Sequence, residues 1–229
     1  MSVLLLVRHG QASFGKRNYD ALSDVGLAQA RILGAALAAR GVVPSRIVTG
    51  GMSRHAETVE GILSGLDKGP DVVVDDGWDE FNFDHVIRVH TPLYRSKALM
   101  FADFARTPAA ERRARFQTLF EEATERWTGG GADHDYEEPF SAFSERVDGA
   151  LQRTAADAHG PVVVVSSGGP IALVASRLLT GNGSLWAALN RVAVNTGVTK
   201  LVTGRSGITL STYNDHSHLE HDRQLITYR

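Results

Sequence analysis

Four short segments hold the side chains best able to do chemistry. Arg8-His9-Gly10-Gln11 sets a guanidinium beside an imidazole. A guanidinium is a rigid fork of N–H donors matched to phosphate oxygens. A neutral imidazole nitrogen can attack phosphorus, and a glycine lets backbone approach closely. Ser53-Arg54-His55-Ala56-Glu57-Thr58 brings a second arginine to a predicted helix start, where an anion is favoured. Trp78-Asp79-Glu80-Phe81-Asn82-Phe83 places carboxyl groups among aromatic rings. Desolvation there favours the neutral acid, which suits a group that protonates a leaving oxygen. For Asp79 the plainer reading, a loop carboxylate, is preferred. Ser166-Ser167-Gly168-Gly169 offers small residues and free N–H groups at a helix start, a phosphate cradle or simply a tight turn. Each segment is a weak signal taken singly.

The elements around them give the four segments a common place. Val3 to Val7 reads as a strand buried on both faces, because an apolar run without alternation fits a covered sheet. Residues 24–40 read as a helix, with Ser23 as N-cap, Gly41 as stop and a stripe of Leu27, Ala30, Ile32, Leu33 and Leu37. Arg46–Thr49 is a second strand, Ser53–Leu63 a helix and Asp71–Val74 a third strand. Residues 161–166 form the clearest buried strand; a helix with Pro170 in its first turn follows, to about Leu179. Strands near Val198–Val202 and Ile208–Tyr213 close the pattern. Alternating strands and helices predict a three-layer α/β/α fold with a mainly parallel sheet. Ligands of such sheets bind outside the carboxyl ends of the strands, where all four segments fall. From about His85 to Gly160 only helices are expected, the longest Glu111–Trp127 and Phe140–Ala158, joined by a glycine-rich turn. This block, about 84–160, reads as a helical insertion over one sheet edge within a single domain spanning 1–229, not as a separate domain.

Composition narrows the function classes. The chain has 229 residues and no cysteine, which removes disulfides, thiolate metal sites and cysteine nucleophiles. A formal charge of −2 leaves no electrostatic footprint for nucleic acid or an anionic membrane. The first apolar run ends at Arg8, too short for a secretory core, and no stretch nears the ~20 apolar residues of a membrane span. A cytoplasmic location is expected.

The order of these segments resembles the histidine phosphatase superfamily, also called phosphoglycerate mutase-like, over nearly the whole chain. Leu6-Val7-Arg8-His9-Gly10 matches its opening signature, Leu22 to Ala30 its first helix, and Ser53 to Thr58 its second arginine motif. Val165 to Gly169 matches its late strand-to-helix motif; Asn195 to Thr199 and Asn214 to Leu219 resemble its closing segments. The resemblance implies that His9 accepts a phosphoryl group, that Arg8 and Arg54 clamp its oxygens, and that Glu80 protonates the leaving group and then activates water. It implies no metal and no cofactor, since the arginines take the role that Mg²⁺ has elsewhere.

One position departs from the family. Where a second histidine normally stands in the late motif, this chain has Ser167. The lost group donates to the transferring oxygens and adds positive charge; removing one such donor costs about 10²–10³ in rate. Either His55 or His85 compensates, or the protein is a slow enzyme or a sensor of phosphorylated ligands. Arg112, Arg113 and Arg115 read as a solvated helix face, Trp127 and Trp186 as packing residues, and His216, His218 and His221 as no metal site. The expectation is therefore a phosphomonoester hydrolase with His9 and Glu80 catalytic and Arg8, Arg54, Ser167, Gly168 and Gln11 on the phosphate. A phosphoglycerate-type mutase is the less favoured enzyme. The partner is a small phosphorylated substrate, whose identity lies with residues 84–140, and a homodimer is left open.

Overall fold

The computed structural model describes residues 2–13, 20–66 and 69–228. In chain order the strands are β1 (Ser2–Arg8), β2 (Arg46–Thr49), β3 (Asp71–Val74), β4 (Val162–Ser166), β5 (Val198–Gly204) and β6 (Gly207–Asp215). The α-helices are α1 (Asp24–Ala39), α2 (Ser53–Leu63), α3 (Phe83–His90), α4 (Lys97–Ala105), α5 (Arg112–Thr128), α6 (Phe140–Ala156), α7 (Gly168–Thr180) and α8 (Trp186–Val192). Helices flank a central mixed sheet, in the three-layer α/β/α arrangement of the phosphoglycerate mutase-like fold. Among the described residues no helix is long and apolar enough to cross a membrane.

The chain forms two compact units, Met1–Glu80 with Arg146–Arg229, and Phe81–Glu145. The first holds the sheet, ordered β3-β2-β4-β1-β5-β6. β1 runs parallel to β4, and β2 parallel to both β3 and β4. β5 and β6 are an antiparallel hairpin added beside β1, closed by a turn at residues 205–206, with Gly207 opening β6 at φ 104°. The sequence reading places both strands but not their direction; the short connection between them makes β6 antiparallel to β5.

All five residues of β4 are buried, as a central strand covered on both faces requires. On one face Leu5, Val7, Ile47, Val163 and Val165 pack with Leu33 and Leu37 of α1 and Val59 and Ile62 of α2. The intervening Leu4, Leu6 and Val164 point to the other face and are equally enclosed. Ser23 caps α1, its hydroxyl accepting from the N–H of Gly26, and Gly41 at φ 68° ends the segment.

In the second unit, α3, α4, α5 and the start of α6 gather around aromatic rings. Phe81 stacks on Trp127 at 4.6 Å, and Phe140 and Phe143 meet the same indole at 5.0 and 5.4 Å. Trp127 is a packing residue, with its indole N–H donated to the carbonyl of Glu138. Arg115 pairs with Asp103 and lies over the ring of Phe104. α6 continues into the first unit, where Arg146 donates to the carbonyls of Gly77 and Asp79 and Thr154 accepts from the indole of Trp78. Those bonds, with the Ser166 hydroxyl donated to the Trp78 carbonyl at 2.6 Å, fix the loop that carries Glu80.

Candidate active site

The end of β1 is held from every side. The N–H of His9 donates to the Ser166 carbonyl at 2.8 Å, one step past the β1–β4 ladder. Its carbonyl accepts from the side-chain amide of Asn195 at 3.0 Å, and the Arg8 carbonyl accepts from the N–H of Thr196 at 2.9 Å. Thr196 adopts φ 58°, a conformation a β-branched residue keeps only under constraint. The Gly10 N–H donates to the Thr58 hydroxyl at 3.0 Å, which ties the loop to α2. A methyl on Gly10 would lie 2.5 Å from the carbonyl oxygen of Gly26, so both glycines are required where the loop rests on α1.

This frame presents the His9 ring in one tautomer. Nδ1 sits 2.7 Å from the Gly10 carbonyl, which can only accept, so Nδ1 carries the hydrogen. Burial holds the ring well below the usual histidine pKa, and the charges of Arg54 and Arg8 with the His55 ring push the same way. The ring is therefore neutral near neutral pH, with an unprotonated Nε2.

Arg54, at the start of α2, is buried. It donates to Asp20 at 2.6 Å and reaches the Ser167 hydroxyl at 3.5 Å, while its Nε has no hydrogen-bond partner among the described residues. A buried unsatisfied N–H costs about 1–3 kcal/mol, a cost that an incoming anion offsets. Asp20 also accepts from the Ser53 N–H at 2.7 Å, so a carboxylate already sits on this helix start and its arginine. Arg8 donates to the carbonyls of Ala193 and Tyr228. Its Nε lies 3.5 Å from where a Cβ on Gly168 would stand, and that Cβ would also collide with Asn190. The Glu80 carboxylate accepts from the Gly169 N–H at 3.2 Å, at the start of α7. Arg8 and His9 thus stand at the carboxyl end of β1, Arg54 at the start of the helix after β2, and Ser167 and Gly168 just after β4, with Arg54 reaching Ser167 and Glu80 meeting the N–H of Gly169. Gln11 is engaged elsewhere: its side-chain oxygen accepts from Ser23, and its N–H donates to Gln29.

Of the two histidines considered in place of the missing one, His55 reaches this network. Its Nε2 lies 2.8 Å from the Ser167 hydroxyl, and its ring is 5.7 Å from that of His9. His85 lies in the second unit, where its Nε2 accepts from the Glu137 N–H. Asp79 is more than a loop carboxylate. It accepts from the Gly51 N–H at 2.7 Å, stands 3.6 Å from His55, and burial raises its pKa. Asp20, Asp79 and Asn195 escape the sequence reading of roles. Asp79 carried a signal by standing beside Glu80 among aromatic residues, and Asn195 by lying within a closing segment; Asp20 carried none. His218 is hydrogen-bonded to the Thr196 hydroxyl at 3.1 Å.

No curated protein sequence matches the chain. Among solved structures, a mycobacterial glucosyl-3-phosphoglycerate phosphatase is similar at 23% identity and TM-score 0.61, over 93% of this chain and 99% of that one. Phosphoserine phosphatase of Entamoeba histolytica is similar at 17% and 0.62, over 96% and 100%. Phosphoglycerate mutase of Bacillus anthracis is similar at 18% and 0.63, over 96% and 95%. At these identities the likeness speaks for the fold alone. The sequence profile of the histidine phosphatase superfamily (branch 1) matches residues 4–126 and 97–216, together nearly the whole chain, so the chain belongs to that superfamily.

Proposed function

We propose that the protein is a phosphomonoester hydrolase that works through a phosphohistidine on His9. One observation carries the reading: the His9 Nδ1 hydrogen is committed to the Gly10 carbonyl, which leaves an unprotonated Nε2 on a buried ring whose protonation the charges of Arg54 and Arg8 oppose. Nε2 attacks phosphorus, the P–O bond to the leaving group breaks, and Glu80 in its acid form gives its proton to the departing oxygen. Water then attacks the phosphohistidine, Glu80 takes a proton from it, and inorganic phosphate leaves with His9 restored. Arg54 and Arg8 stabilise charge on the transferring oxygens, where most of the rate gain in phosphoryl transfer arises. Arg54 must first leave Asp20 or share it, so the resting carboxylate holds the guanidinium in place for the substrate.

The test is hydrolysis of p-nitrophenyl phosphate by wild type and by His9→Ala. The variant is expected to lose at least about 10³-fold in kcat/KM. Rapid quench of the wild type should trap an acid-labile, alkali-stable phosphoryl label that the variant lacks. Equal rates for the two proteins would remove His9 from the mechanism. Binding of the ester with no turnover by either protein would favour the sensor.

A further inference from the structure

We propose that His55 supplies, through the Ser167 hydroxyl, the imidazole that the family carries at position 167, so that the His55–Ser167 pair is the second hydrogen-bond donor to the transferring phosphoryl group. The proposal rests on the phosphohistidine reading and adds to it a positioning residue, His55, and a substrate-touching hydroxyl, Ser167.

Ser167 stands at the N-cap of α7, yet its side chain makes no capping bond. A serine there ordinarily accepts from a backbone N–H of the first turn, worth about 1 kcal/mol. Here the hydroxyl, fully buried, turns instead to His55 Nε2 at 2.8 Å and to Arg54 at 3.5 Å. His55 is fully buried as well, although an imidazole inside a protein is costly unless its nitrogens are satisfied. Its Nδ1 makes no hydrogen bond among the described residues and faces Asp79 Oδ1 at 3.6 Å. The Ser167 hydroxyl has thus forgone its local cap to meet a buried imidazole, next to Arg54 and 5.7 Å ring to ring from His9.

The pair can form a donor chain. With its hydrogen on Nε2, His55 donates to Ser167 Oγ, and Arg54 donates to the same oxygen. Both lone pairs of the hydroxyl are then occupied, so its own hydrogen is directed to an acceptor in the anion pocket. Such chains strengthen one another in a low-dielectric site. A neutral ring exchanges tautomers without net proton uptake, so the scheme needs no co-reactant. Asp79 Oδ1, which accepts from the Gly51 N–H, faces the Nδ1 side of the ring at 3.6 Å. The imidazole that the family mounts after the fourth strand is here mounted on α2, one residue after Arg54, and the serine hands its donor to the phosphate.

The experiment compares kcat and KM on p-nitrophenyl phosphate for wild type, His55→Ala, Ser167→Ala, their double variant, the swap His55→Ala/Ser167→His, and His9→Ala. His55→Ala and Ser167→Ala should each lower kcat by about 10²–10³-fold, with KM changed far less. The double variant should be no worse than the poorer single one, because the two residues act as one unit. The swap returns an imidazole to the pocket from the other side and should regain at least about tenfold over His55→Ala, which a merely structural role would not allow. A kcat for His55→Ala within about threefold of wild type, or a swap no better than His55→Ala, overturns the proposal. Should His55→Ala fail to fold, Ser167→Ala decides, since it removes one oxygen: a large kcat loss supports the pair and an unchanged kcat overturns it. His9→Ala separates the two levels. If it is inactive while His55→Ala is fully active, only the His55 proposal falls; if it hydrolyses at the wild-type rate, the phosphohistidine reading falls with it.

Discussion

At the scale of single residues, the surroundings of His9 withhold a proton from its ring. Burial does most of this, and Arg54 is the largest charge acting in the same direction. The consequence can be read directly. In nuclear magnetic resonance titrations the His9 ring should stay neutral well below pH ~6.5, the ordinary histidine value. In Arg54→Met the charge is gone but the burial stays, so the ring should take up its proton at higher pH than in the wild type and still below that ordinary value. A protonated ring cannot attack phosphorus, so the acid limb of kcat/KM for the wild type should track the same low titration. A His9 that titrates identically in both proteins would show that Arg54 does not act on it. The same chemistry explains the limit of the sequence at this scale. Guanidinium and imidazole types at residues 8, 9 and 54 announce an anion site, because few other groups clamp phosphate. The roles of Asp20 and Asp79 are set by what they face across the fold, and residue type carries no trace of that.

At the scale of elements, the site depends on how closely the loop after β1 lies on α1. Gly10 and Gly26 face each other across that contact, and a Cβ on Gly26 would overlap the carbonyl of Gln11. Gly26→Ala should therefore push the loop off the helix start. Overpacking of this kind costs roughly 1–3 kcal/mol. Because the displaced backbone includes the Gly10 carbonyl that orients His9, kcat should fall more than the stability loss explains. Urea unfolding and steady-state kinetics on the one variant separate the two effects, and an unchanged kcat would show that the loop position is not set by this contact. The elements themselves were largely legible. The unbroken apolar runs of β1 and β4, the Ser23 cap and the glycine stops are local signals with local causes. The antiparallel direction of the β5–β6 hairpin was not; α3 and α4 lie in the stretch read as helical, but their bounds were not legible, because they depend on the aromatic cluster and on caps at Asn82 and Ser96. That His55 and not His85 meets Ser167 is decided by neither motif alone; it appears only when β2 and β4 pair and bring residues 55 and 167 together.

At the scale of the whole molecule, the buried histidines make stability depend on pH. Burial lowers His55 to about 3 and His218 to about 4, and it holds His9 well below its ordinary value. Each of these rings is neutral in the folded chain at pH values where the unfolded chain would already have protonated it. The unfolded state thus binds more protons as pH falls through about 6.5, and each ring lowers folding stability by up to about 1.4 kcal/mol per pH unit until its folded value is reached. Asp79, raised by burial, opposes the trend in part, because the folded chain holds that proton more tightly. Aspartates held below their ordinary value, Asp75 and Asp215 among them, add to the acid loss only as pH nears about 3.8, so between pH 6 and pH 4 the histidines set the slope. Urea unfolding should show stability nearly flat above about pH 7 and falling steeply between about pH 6 and pH 4. His218 lies outside the proposed chemistry, and Asn in its place keeps a polar partner for Thr196 without a titrating ring. His218→Asn should therefore flatten the acid slope while leaving kcat on p-nitrophenyl phosphate near the wild-type value. An acid slope that is unchanged in that variant would mean that His218 takes up its proton in the folded chain, and that the closing segment around it opens before the domain does.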